Sequence, residues 1–527
     1  MPEKKLKDII SCHQPFGPID ADKITDKSMF EAFFQKDNRI YQEVLKRPTL
    51  IIGRRGSGKT SFMRSVILDP SYTIILELKA HNLFRSILTS IDQLSTGSVF
   101  VEEVSELWEV LFWLGLMNEM VKKAPSTDLL TARRYLASIP IDTTKNIYTI
   151  IKEFLGILKK QKGDKTIGVL AGLADYITFE DINFDEVREE CLKYLYNRQW
   201  KAIILIDTLE EMKIEEEKMA YAISGLLRCQ SLFRSAGDPT HIRVCLPAEI
   251  YHKALRLSSN PNKDFQRKII LHWHAGELLK LACQRYALFL GLHEPKAYKE
   301  LSHLDLNKRS DAQTFWQAIF PISVKNRLGE YESTLAYILR HTQLLPRHFL
   351  LYLNEIARNN FANGGKPLNF STKSVTDGVF STEEVICHEI FSAFRYTHPS
   401  TEEVCKRCIQ KLPRYFKRGD LHRAFNISGV KGLPGIYDYF EFERLMIETG
   451  LIGRRIAQES SGSRYISALY EYTVQQQLNV NDEDMLCLHP VVTEVFAALP
   501  QESESGKKFM IYPYGSDVDT EDRREIT

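Results

Sequence analysis

The alternation of apolar and polar positions divides the first half of the chain into short strands and one long helical stretch. Thr49-Leu-Ile-Ile52 is an apolar run bounded by Pro48, and Ser61 to Ile67 takes up a helix-compatible pattern after a glycine-rich loop. Together they predict a strand, loop and helix. Tyr72-Thr-Ile-Ile-Leu-Glu-Leu78, rich in β-branched and aromatic residues, predicts a second strand. Ala202-Ile-Ile-Leu-Ile206 is continuously apolar, as in a parallel sheet covered on both faces, and Ile242-Arg-Val-Cys-Leu246 predicts a fourth strand. Between the second and third strands the period is helical, with Val104, Leu107, Trp108, Leu111 and Leu114 on one face.

Past Trp273 the helical spacing continues through Leu278, Leu281, Ala282 and Leu288 to Ala357, and Asn359 to Pro367 is the clearest linker. Two or three helices follow it. Phe440 to Thr449 predicts another, stopped by Gly450, and the β-like runs Leu451 to Ala457 and Arg464 to Val474 flank the turn-rich Gln458 to Ser463. Helices followed by a hairpin are the order of a winged helix. The expected organisation is an N-terminal segment (1–45), a nucleotide-binding domain (46–275) with a helical insertion about 100–185, a helical lid (276–360), a winged-helix-like domain (371–500) and a poorly ordered tail (501–527). The fold class expected is an α/β domain, a parallel sheet with helices on both faces, followed by an α+β winged-helix domain.

Composition narrows the picture without deciding it. The 527 residues are 44% hydrophobic and 26% charged, ordinary for a globular chain with real cores. Sixty-nine Lys and Arg against 68 Asp and Glu leave a charge of +1, so any electrostatic footprint must be local. Nine scattered Cys argue against a disulfide framework, and a reducing, cytoplasmic setting fits best. The apolar runs Val110 to Met117 and Ile167 to Ala174 are too short to span a bilayer, so no membrane partner is expected. Cys405 and Cys408 lack the further ligands zinc requires and read as core positions of one helix. His489-Pro490 reads as a packing or turn feature.

The chemistry sits in Gly53-Arg54-Arg55-Gly56-Ser57-Gly58-Lys59-Thr60, a P-loop between a strand and a helix. Its glycines let backbone N–H groups converge on a β-phosphate, Lys59 neutralises β- and γ-oxygens, and the Thr60 hydroxyl ligates Mg²⁺. ATP and Mg²⁺ are the expected cofactors. Asp207, directly after the third strand, fits the second acid that holds the magnesium shell. Either Glu210 or Glu211 would orient water for hydrolysis, because Thr208 stands where many such ATPases carry an acid.

With these motifs the chain resembles P-loop ATPases of the AAA+ and STAND type, including bacterial defence-island ATPases and the origin-recognition class. Narrower likeness comes from Phe16-Gly17, Val244 to Tyr251, Trp273 with Glu277-Leu-Leu and Arg285, and Leu344-Leu-Pro-Arg-His348. The resemblance implies that Arg347, after Pro346 at a helix start, is the lid arginine that reaches the γ-phosphate. It departs at Thr208, and at Pro247 and Glu249, where a first sensor residue is expected. It implies an ATP-hydrolysing molecular switch, with Arg228 or Arg234 as an arginine finger toward a neighbouring copy in a homo-oligomer.

A local charge signal lies in the C-terminal domain. Lys406, Arg407, Lys411, Arg414, Lys417, Arg418 and Arg423 surround one acid, Asp420, and Arg454, Arg455 and Arg464 fall on the wing. This is the footprint of contact with the backbone of double-stranded DNA, or a solvated face of a domain that docks an effector protein. The alternative to an ATPase is therefore a nucleotide-dependent scaffold without significant hydrolysis.

Overall fold

The computed structural model describes residues 2–24, 26–79, 83–84, 87–88, 101–139, 142, 145, 147–160, 182–207, 217–233, 238–258, 260–395, 398–456, 465–474, 477–499 and 510–516. They form two compact units: a sheet unit of residues 39–53 and 59–270, and a helical unit of residues 1–38, 54–58 and 271–527.

The sheet unit is a P-loop NTPase-like α/β domain. Its five parallel strands are β1 (Leu50–Gly53), β2 (Tyr72–Lys79), β3 (Lys201–Asp207), β4 (Thr240–Pro247) and β5 (Lys268–Ile270), in the order β2-β3-β4-β1-β5. β3 is a continuous apolar run buried along nearly its whole length, whereas β4 is buried throughout although it carries His241 and Arg243. All strands run the same way, so Gly53, Asp207 and Pro247 end on one edge of the sheet. That carboxyl edge is where open α/β sheets take ligands.

The helix Val101–Lys123 covers this sheet. The single face read from its sequence is buried, but so are Val110, Phe112, Trp113 and Leu116, because the helix is packed on more than one side. Trp108 donates its indole N–H to the carbonyl of Ala222 at 2.9 Å, and a Cβ at Gly115 would lie 2.6 Å from Leu76 Cδ2. Glycine there lets the helix approach β2. The apolar run Ile167 to Ala174 lies outside the described residues.

The helical unit carries the long helices Ala275–His293 and Pro346–Ala362, then Thr372–Phe394. A two-stranded hairpin, β6 (Ser323–Lys325) with β7 (Tyr331–Ser333), interrupts them. The winged-helix-like region follows as helix Thr401–Ile409, β8 (Tyr415–Lys417), helices Arg418–Ile427 and Tyr439–Glu448, β9 (Ile452–Arg455) and β10 (Tyr465–Leu469).

Two departures from the sequence reading enlarge its sheet. β11 (Met485–Leu488) pairs antiparallel between β9 and β8, and β12 (Met510–Pro513) pairs parallel with β10, giving β12-β10-β9-β11-β8. The tail after Pro500 was expected to be poorly ordered, but Met510 to Pro513 are a fully buried strand. The run Arg464 to Val474 is also not one strand. It ends at Leu469, where the Tyr470 N–H donates to Thr473 Oγ1 at 2.9 Å and Glu471–Thr473 turns into a 3₁₀ helix.

Candidate nucleotide site

In the sheet unit, β1 ends at Gly53 and helix Lys59–Arg64 begins at the lysine of the motif. Lys59 is buried, and its ammonium donates to the Gly53 carbonyl at 3.0 Å. Asp207 closes β3, and its Oδ2 accepts from the Thr60 hydroxyl at 2.9 Å. One ammonium and two hard oxygen ligands thus stand at the strand ends. That donor set suits a phosphate and a small divalent cation.

In the helical unit, Gly56 and Gly58 have φ of +84° and +91°, a conformation that favours glycine and turns the loop. Ser57 has a hydroxyl that is buried and has no partner among the described residues, a donor that a phosphate oxygen would satisfy. The carbonyl of Ser57 accepts from the Trp273 indole at 2.8 Å, which fixes the loop. The loop therefore fits a phosphate on geometry as well as on sequence.

Arg347 stands next to this loop. Its backbone N–H lies 3.3 Å from the Gly56 carbonyl, and a Cβ on Gly56 would come within 2.9 Å of Arg347 Cβ. Its guanidinium is held by Asp20 at 2.7 Å and Glu389 at 3.4 Å. Neither acid was singled out by the sequence, since both lie far away in the chain. Phe16-Gly17 packs in the same unit: Asn354 binds its backbone at 2.9 and 3.1 Å, and Arg285 stacks over Phe33. Glu277 accepts the N–H of His274 at 3.1 Å and so caps a helix.

Arg54 and Arg55 belong to the loop through their backbone, and their side chains are engaged elsewhere. Arg54 is buried and donates Nη1 to Gln343 Oε1 and to the Thr449 carbonyl, both at 3.2 Å, and Nη2 to the Glu448 carbonyl. Phe394 and Tyr472 lie against its guanidinium. Arg55 donates to the Ser392 hydroxyl at 2.9 Å. A guanidinium placed at the C-terminal end of a helix satisfies its last carbonyls, here those of Tyr439–Glu448.

Thr208, Glu210, Glu211, Arg234 and Arg464 lie outside the described residues. Arg228 pairs with Glu102 at 2.7 Å. Cys405 and Cys408 are both buried on helix Thr401–Ile409, and all nine cysteines are free. His489 is buried, with Nε2 3.1 Å from the Thr342 carbonyl and Nδ1 accepting from the Val491 N–H. Both features are packing, as the sequence suggested.

The basic cluster is largely neutralised by acids, several of them from other segments. Arg418 is gripped by Glu443 at 2.5–2.6 Å and by Asp482 at 2.6 Å, Arg414 pairs with Glu494, Arg407 with Glu403, and Arg454 with Asp484 at 3.6 Å. Arg455 donates to the Tyr415 hydroxyl at 2.7 Å. Lys406, Lys411 and Lys417 are exposed. Helix Tyr439–Glu448 itself carries Glu441, Glu443 and Glu448 against Arg444.

The family model described as ORC-CDC6-like matches residues 14–97, the origin-recognition side of the resemblance rather than its STAND or defence-island side. No curated protein matches the chain. Among solved structures, the ORC2 protein of Aeropyrum pernix in ADPNP–ADP complexes is 13% identical, with 91% of this chain and 97% of that chain covered and a TM-score of 0.36. The Aeropyrum pernix ORC1 protein in complex with DNA is 10% identical, covering 84% and 89%, at 0.31. Cdc6p from Pyrobaculum aerophilum is 10% identical, covering 91% and 97%, at 0.29. Among the described residues no helix is long and apolar enough to cross a membrane.

Proposed function

We propose that the chain is a Mg²⁺-dependent ATP-binding switch whose nucleotide loop communicates with the winged-helix-like region. The observation that carries the reading is the Thr60–Asp207 pair at 2.9 Å, one residue along from Lys59 at the ends of β1 and β3. In this reading Gly53 to Thr60 hold the phosphates, Thr60 and Asp207 hold Mg²⁺ with its water shell, and Arg347 senses the terminal phosphate. When bound, Mg²⁺ would neutralise charge on the transferring phosphate. Glu210 is proposed to orient the attacking water.

The output is proposed to run through Arg54. A loop that closes on phosphates while one of its own side chains binds the carbonyls of Glu448 and Thr449 ties nucleotide occupancy to helix Tyr439–Glu448. For that helix, docking of an effector protein is favoured over DNA. Glu443 is engaged by Arg418, Glu441 and Glu448 stand against the single Arg444, and Phe440 and Tyr437 are 73% and 67% exposed, a surface better suited to a protein than to phosphate.

The test is calorimetry with ATP and Mg²⁺ on wild type and Lys59→Ala. Loss of binding in the variant is expected, with the fold unchanged by circular dichroism. Equal affinity would remove the P-loop assignment. Phosphate release then separates a hydrolysing switch from a nucleotide-dependent scaffold.

A further inference from the structure

The helical unit holds a second concentration of cations that shares no residue with the nucleotide site. Arg340 ends helix Thr334–Arg340, is buried, and gives Nε and Nη2 to Glu332 at 2.9 and 3.0 Å. Arg327 gives Nη2 to Glu383 at 2.9 Å, and Arg414 gives Nη2 to Glu494. The three guanidiniums border one cavity of about 30 Å³, whose wall also includes Glu494, the Tyr337 ring, Thr493 and Met510 of β12.

Each guanidinium has five N–H donors, and the acids take only one or two from each. The remaining N–H groups have no acceptor among the described residues. Nor do the acids balance the charge. Burial raises the Glu383 carboxyl to about 7, so at neutral pH it is only partly ionised opposite Arg327. Burial, together with the positive Arg340 and Arg327, pushes the Arg414 guanidinium below its ordinary value. A folded protein retains crowded cations at a cost, and an anion among them would remove it.

We propose that this cavity is a binding site for one free tetrahedral oxyanion of the phosphate class. The chemistry is that of forked N–H donors, which match the oxygens of phosphate in pairs. The space is compact: a water needs roughly 10–15 Å³ of such volume, so the cavity suits a small oxyanion. The strand β12 forms part of the wall, so occupancy would also fasten the C-terminal strand to the unit.

Thermal melting of the full-length chain with inorganic phosphate, and separately sulfate, at ionic strength held constant with sodium chloride tests the site. The parent carries Lys59→Ala, which removes the P-loop as a competing anion site. Saturable stabilisation is expected in that parent. It should weaken by at least about tenfold in apparent Kd when Arg414→Gln and Glu494→Gln are added together, the loss of one charge-assisted donor without a stranded carboxylate. Should that double change unfold the protein, Arg327→Gln, at a more exposed position, is read in its place with the same expectation. Absence of saturable stabilisation up to tens of millimolar anion overturns the proposal, as does an unchanged Kd in the substituted protein. Stabilisation seen with Lys59 but lost in Lys59→Ala overturns it too, and supports the nucleotide site instead.

Discussion

Arg54 shows how one side chain can belong to a phosphate loop by position and to a distant helix by contact. Its guanidinium meets carbonyls 394 and 395 residues further along the chain, and Gln343 adds a bond of 2.7 Å to the same Thr449 carbonyl. Arg54→Ala would leave those buried acceptors short of a charged donor and open space between Phe394 and Tyr472. A destabilisation of about 2–4 kcal/mol is expected, and Arg54→Lys should lie between, because an ammonium has no fork. Hydrogen exchange reads the coupling itself: ATP should alter protection of residues 439–450 in wild type and leave it unaltered in Arg54→Ala. A response to ATP that survives the substitution would disconnect Arg54 from the output. Lys59 and Thr60 could be singled out as candidates from local spacing, and Asp207 from its place at the end of an apolar run. The destination of Arg54 was not, since no local pattern encodes a partner so far downstream. Gln343 and Asp20 escaped for the same reason.

At the scale of elements, the buried strands β1 and β3 were visible because a continuous apolar run needs no partner to be recognised, and β4 because Ile242, Val244 and Leu246 stand in a β-branched, apolar segment. β8 and β12 were missed because each is completed by pairing with distant segments, and β11 showed only as an apolar strand-like run before His489, its place in the sheet being set by β9 and β8. Gly450 is the reverse case, since a helix stop is a local signal and the structure bears it out. It has φ of +73°, and its N–H bonds the Ile447 carbonyl at 2.8 Å. A Cβ there would meet Tyr472 at 2.8 Å and Gln343 Nε2 at 2.9 Å. Gly450→Ala therefore combines backbone strain with a clash at the group that holds Arg54, and should cost more than about 1 kcal/mol. The check is a lowered melting temperature alongside Ala→Gly-neutral surface controls. An unchanged melting temperature would mean that Tyr472 and Gln343 move aside freely.

Across the whole molecule, buried titratable groups set how stability follows pH. Burial holds His241 in the sheet unit, and His348 and His489 in the helical unit, down at about 3, with His341 also well below its ordinary value. These imidazoles are neutral when folded and take up protons on unfolding below about pH 6.5, so their contribution is complete above that value and is lost as pH falls toward 3. Glu383 works in the opposite sense. Burial raises it to about 7 from 4.5, so it favours the folded state fully below 4.5 and loses that contribution as pH rises through 7. Between pH 7 and 5 the two trends compete, and four histidines outweigh one glutamate. At about 1.4 kcal/mol per pH unit for each net proton taken up, the denaturant midpoint should fall clearly from pH 7 to 5. His348→Gln, which keeps a polar side chain near the Gln343 N–H but cannot titrate, should flatten that fall. A midpoint that rises on acidification would show that the carboxylate, not the imidazoles, governs the balance.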